Sequence, residues 1–105
     1  MNKNYDALIN VSLLTSEDGG RKKPIHNAYR GAHLIKEDYL TSASLDFVDV
    51  EILQPGDSAK AFVNYLSPEV YPKSLWIGKE MNIQEGGRLV GKATILEIYN
   101  ETLRK

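Results

Sequence analysis

Short apolar runs of alternating parity, cut by Gly/Pro turns every ten residues or so, constrain this chain more than any other feature. Residues 5–14 place Ala7, Ile9, Val11 and Leu13 on one parity, and residues 60–66 do the same with Ala61, Val63 and Tyr65. Residues 32–36, 44–53, 81–83 and 89–99 are further strand candidates. The parity of 44–53 slips at Phe47-Val48, which reads as a β-bulge. Between the runs lie Gly19-Gly20, Pro55-Gly56-Asp57, Pro68, Pro72 and Gly86-Gly87, all residues suited to turns. Six or seven such strands in 105 residues predict one all-β domain over 1–105, a small barrel or a sandwich. The expected core includes Ile9, Val11, Val50, Ile52, Ala61, Val63, Val90 and Ile95, with Trp76 capping one end. Residues 99–105 are expected to be helical or frayed.

Composition excludes several kinds of chemistry. The absence of Cys removes disulfides, thiol nucleophiles and thiolate metal sites. His26 and His33 stand seven apart without an H-x-x-x-H pattern, so both are read as ordinary surface or loop residues rather than metal ligands. Gly19-Gly20-Arg21-Lys22-Lys23 lacks the spacing of a phosphate-binding loop, so no nucleotide is expected. No G-x-S-x-G elbow is present. Asp46, Asp49 and Glu51 alternate with apolar residues as a solvated sheet face would, rather than forming a tuned acid–base pair. An enzyme is not expected, and no cofactor is implied. The polar opening and the interrupted apolar run after it fit neither a leader peptide nor a membrane span, so a cytoplasmic location is the default.

The net charge of −1 conceals an uneven distribution. Residues 19–36 carry five basic side chains and no acid, whereas residues 37–59 carry six acids and no Lys or Arg. Such asymmetry builds either a bipolar surface or separate solvated loops.

Two Gly-Gly-Arg turns, ending at Arg21 and Arg88, sharpen this picture. The string Glu17-Asp18-Gly19-Gly20-Arg21-Lys22-Lys23-Pro24-Ile25, followed by Tyr29-Arg30, resembles the opening of the third, C-terminal barrel domain of translation elongation factor Tu. Gln54-Pro55-Gly56-Asp57 is similar to that family's Met-Pro-Gly-Asp turn. The segment from Ile83-Gln84-Glu85-Gly86-Gly87-Arg88 to Leu89-Val90-Gly91 is similar to its Arg-Glu-Gly-Gly-Arg-Thr-Val-Gly hairpin. The three motifs occur in the family's order over nearly the whole chain. Two departures stand out: Gly31-Ala32-His33 replaces the family's Pro-Gln-Phe, and its Thr-Thr-Asp-Val-Thr-Gly segment has no counterpart in residues 36–43.

The resemblance implies a six-stranded antiparallel closed β-barrel and a surface that, in the family, helps hold the T-stem of tRNA. Carried over by position, that surface comprises Arg21, Lys22, Arg88 and Gly91, with Lys23 as an added cation. The factor's GTPase domain and second barrel have no counterpart in these 105 residues, so elongation-factor activity itself is not expected. Two function classes follow: a non-catalytic module binding RNA or a translation-related partner, or an immunity or regulatory protein using the barrel as a protein-binding scaffold.

Overall fold

The computed structural model describes residues 5–36 and 39–105; Glu37 and Asp38 of the acidic stretch lie outside the described residues. Its strands are β1 (Ala7–Leu13), β2 (Ile25–His26), β3 (Arg30–Lys36), β4 (Tyr39–Phe47), β5 (Ile52–Leu53), β6 (Ser58–Tyr65), β7 (Glu80–Glu85) and β8 (Arg88–Ile98). Six of them close a barrel in the order β1-β6-β4-β3-β7-β8, with every pairing antiparallel. Closure satisfies both edges of β1, which pairs with β6 on one side and β8 on the other. The remaining two strands, β2 and β5, form a separate two-residue ladder. Pro68–Val70 makes a 3₁₀ turn between β6 and β7. No helix among the described residues is long and apolar enough to cross a membrane.

The period-2 pattern sends alternate side chains inward. Ala7, Ile9, Val11 and Leu13 of β1 are buried, and Ala61, Val63 and Tyr65 of the neighbouring β6 lie beside them on the inner face, Ala7 opposite Val63 and Ile9 opposite Ala61. Val90 and Ile95 of β8 are buried as well, although they stand five residues apart, because the register slips at Val90, where Gln84 pairs with Leu89 and Ile83 with Gly91. Each of the Val, Leu and Ile side chains in this set contributes about 1.5–3 kcal/mol through burial. Asp6 ties the chain ends together: its carboxylate accepts from the Tyr65 N–H (2.7 Å) and from Asn100 Nδ2 (2.9 Å).

Several expectations are corrected. Residues 44–53 are not one bulged strand. β4 starts earlier, at Tyr39, and ends at Phe47, where Val48 N–H donates to the Lys60 carbonyl before the chain leaves the barrel wall. Val50 (39% exposed) and Ile52 (44% exposed) therefore lie outside the core, while Leu53 turns in against Ile25. His33 is wholly buried on β3, not a surface residue. Trp76 is 45% exposed rather than a buried cap; Leu75, its neighbour, fills the core instead. The tail is neither helical nor frayed: Leu103 is fully buried, and Leu75 bridges to Arg104.

Candidate functional site: a basic end of the barrel

Two turns meet at one end of the barrel. In the first, the Gly19 and Gly20 N–H groups donate to the carbonyls of Ser16 and Thr15, and Gly19 takes φ = 93°. Gly20 is buried, and a Cβ there would stand 2.6 Å from the Leu14 carbonyl oxygen, so the close approach demands glycine. In the second, Gly86 and Gly87 both adopt positive φ in the two-residue connection between β7 and β8, the geometry of a tight hairpin.

Arg88, paired with Glu85 across that hairpin, reaches back to the first turn. Its Nε donates to the Gly19 carbonyl (3.1 Å) and its Nη2 to that of Gly20. Arg21 runs the opposite way: its Nη1 pairs with the Glu85 carboxylate, while Nε donates to the Lys23 carbonyl (3.1 Å). Tyr29 closes the knot by donating its hydroxyl to the same Glu85 oxygen, with the Arg21 guanidinium 5.4 Å from its ring centre. Burial, then the Glu85 carboxylate, pushes the Tyr29 phenol well above its ordinary range, so it stays a donor. The arginine fork, with donors in fixed directions, suits this stapling of turn carbonyls.

Arg21, Lys22, Lys23 and Arg88 thereby surround one open depression of about 420 Å³, with Glu85 as its single carboxylate. The convergence expected of the two Gly-Gly-Arg turns is present. Sequence left two roles open for the arginines, contact with a ligand or pinning of their own turns through Glu17 or Glu85 and carbonyls, and the contacts are those of the second. Both arginines are largely engaged in holding the turns, although Arg88 Nη1 has no partner among the described residues. Lys22 and Lys23 are exposed and have no ion-pair partner among the described residues. Gly91 sits apart from the depression. It is buried in β8 opposite Leu13, where a Cβ would come within 2.6 Å of the Ser12 carbonyl oxygen. It is a packing position with no side chain or surface to offer a ligand. The basic run 19–36 also divides, because β3 carries Lys36 to the far end of the barrel.

At that far end a larger groove of about 770 Å³ gathers Lys36, Lys73, Lys79 and Lys105 around Trp76, with Glu80 as the one acidic side chain in its described lining. These residues are scattered over the sequence, so only Trp76 between two nearby lysines hinted at the groove. Among the described residues, no group of three or more His, Asp or Glu is placed to share a metal ion. No protein-family model matches the chain.

Proposed function

We propose that this chain is a non-catalytic binding module related to the C-terminal barrel of elongation factor Tu, and that its basic end holds the phosphate backbone of a structured RNA such as tRNA. The observation that carries this reading is the meeting of Arg21, Lys22, Lys23 and Arg88 around one depression that contains a single carboxylate. Arg21 and Arg88 fix the shape of the two turns, so that Lys22 and Lys23 are delivered to a set position on a rigid frame. Lysines act there as point charges toward phosphate oxygens, and binding is expected to be weak and strongly salt-dependent. A role in translation, in the cytoplasm, is the setting this reading requires.

The test is a tRNA titration read by fluorescence anisotropy at low salt. Replacing Lys22 and Lys23 together by Ala should weaken binding about tenfold or more and flatten the salt dependence by about 0.9 per lost phosphate contact. The melting temperature should stay nearly unchanged, because both side chains are exposed. Failure of the wild-type protein to bind tRNA at low salt contradicts the reading.

A second reading, a scaffold for a protein partner, is favoured by exposed Leu40 (43%), Leu66 (63%) and Val70 (54%) around the start of β4 and the β6–β7 connection. Partners retained from a native extract after nuclease treatment would support it.

A further inference from the structure

The groove at the opposite end of the barrel is built differently from the basic turns. The length of β7, about 17 Å at 3.3 Å per residue, separates the two. Trp76 lies on its wall with nearly half of its surface exposed, and two ammonium groups stand over its ring: Lys79 Nζ at 4.6 Å and Lys105 Nζ at 5.0 Å from the centroid. Lys79 is anchored, since its Nζ donates to the carbonyls of Ile35 and Ser74, both at 2.5 Å. Lys36 and Lys105 are exposed, and both act on Lys79. Burial first, then the fields of Lys36 and Lys105, hold the Lys79 amine below its ordinary range. Cations are thus crowded here beside an apolar wall, an arrangement stabilised by an incoming anion. Ser74 adds a second feature: it is 5% exposed, it lines the groove, and its hydroxyl has no hydrogen-bond partner among the described residues.

A large aromatic face flanked by three movable lysines and one fixed lysine matches one ligand chemistry above others, a planar ring carried on phosphates. The groove is open along one side and has the volume of about two nucleotides, so it suits a passing strand better than an enclosed small molecule. We propose that this groove binds an unpaired nucleic-acid strand, with one base stacked on Trp76 and neighbouring phosphates held by Lys36, Lys73 and Lys105. Stacking would displace the mobile Lys105 from the ring onto a phosphate and uses the ring face away from Lys79, which stays anchored by the Ile35 and Ser74 carbonyls. This site is independent of the basic turns, and the two bind different forms of nucleic acid: backbone of structured RNA at one end, an unpaired strand at the other.

Trp76 is the only tryptophan, so its fluorescence reports this groove alone. Titration of the intact protein with a short oligoadenylate should quench that fluorescence. The affinity should fall with salt at a slope of about −2, from about −0.7 per single-strand phosphate and three lysines. Reversing Lys36 and Lys105 together to Glu should abolish the quench. Trp76→Ala, followed by anisotropy of a labelled oligoadenylate, should weaken binding about tenfold, while Trp76→Phe, which keeps an aromatic face, should lose less. Lys22→Ala with Lys23→Ala should leave the quench as it is, which separates this site from the basic end. The proposal is overturned if wild-type protein gives no quench at low salt, or if AMP at equal nucleotide concentration quenches as strongly. It is equally overturned if the oligoadenylate–oligouridylate duplex binds as well as the free strand, or if the Lys22/Lys23 variant loses the quench.

Discussion

Acid should destabilise this barrel through one residue, His33. Its ring is fully buried on β3, edge-on to Tyr65 with the ring centres 5.6 Å apart, and neither ring nitrogen has a hydrogen-bond partner among the described residues. Among them the Tyr65 hydroxyl beside it is likewise unpartnered. Burial pushes the imidazole pKa down from 6.5 to about 4, because a charge there would be stripped of water. The unfolded chain takes up a proton as pH falls through 6.5, while the folded chain resists until about 4. The folded pKa is the lower one, so the His33 contribution is fully present above 6.5 and is lost as pH falls from 6.5 to 4. A gap of about 2.5 pH units corresponds to about 3 kcal/mol, a large share of the roughly 5–15 kcal/mol that holds a domain folded. Urea unfolding at a series of pH values measures this directly, with the midpoint falling at constant slope. His33→Leu, of similar bulk and without a titrating group, should match or exceed wild-type stability at neutral pH and flatten the loss between pH 6.5 and 4. If the variant loses as much as wild type in that window, the loss comes from other groups and the reasoning about His33 is refuted.

Three further outcomes follow from the packing. Replacing Arg21 and Arg88 with Ala should lower stability by about 1 kcal/mol each, since turn carbonyls and Glu85 lose their donors; thermal melts of the single and double variants check this. Gly91→Ala should cost about 1–3 kcal/mol, a fall of several degrees in melting temperature, because backbone rather than a flexible side chain blocks the new methyl. Val50→Ser should change stability by less than about 0.5 kcal/mol, whereas Ile9→Ala should cost about 2–5 kcal/mol, as denaturant midpoints will show.

The barrel strands were legible where one parity carried most of the apolar side chains. Ala7, Ile9, Val11 and Leu13 share a face, as do Ala61, Val63 and Tyr65; Leu8, Leu14 and Phe62 interrupt the alternation, but the fuller apolar row is the one that is buried. β4 was harder to read because its first half is Thr41-Ser42-Ala43-Ser44, small and polar residues whose inward members, Thr41 and Ala43, carry little hydrophobic signal. Val50 and Ile52 misled for the opposite reason: apolar residues also occupy surface positions, and only the departure of the chain after Phe47 decides which side they face. His33 could not be located from sequence, because a histidine between Ala32 and Leu34 fits either face of a strand. At the basic end, convergence of the two Gly-Gly-Arg turns was expected only through the family resemblance, and Arg21, Lys22, Lys23 and Arg88 do line one depression. The direction of the Arg88 guanidinium was not legible, since it depends on the carbonyls of Gly19 and Gly20, 69 and 68 residues away in the chain. The Trp76 groove draws on β3, the β6–β7 connection and the chain's last residue, a juxtaposition that only closure of the barrel creates.

The most direct test of the account is a backbone amide NMR map of the intact protein titrated with a blunt RNA duplex at low salt. A duplex without unpaired nucleotides presents only backbone and grooves, so it isolates the basic end from the Trp76 groove. Shifts should concentrate in Gly19, Gly20, Arg21, Lys22 and Lys23 and in the Glu85-to-Arg88 hairpin, and fade as salt is raised. Shifts confined to the Trp76 groove or to the barrel's side wall, or no shifts at low salt, would contradict it.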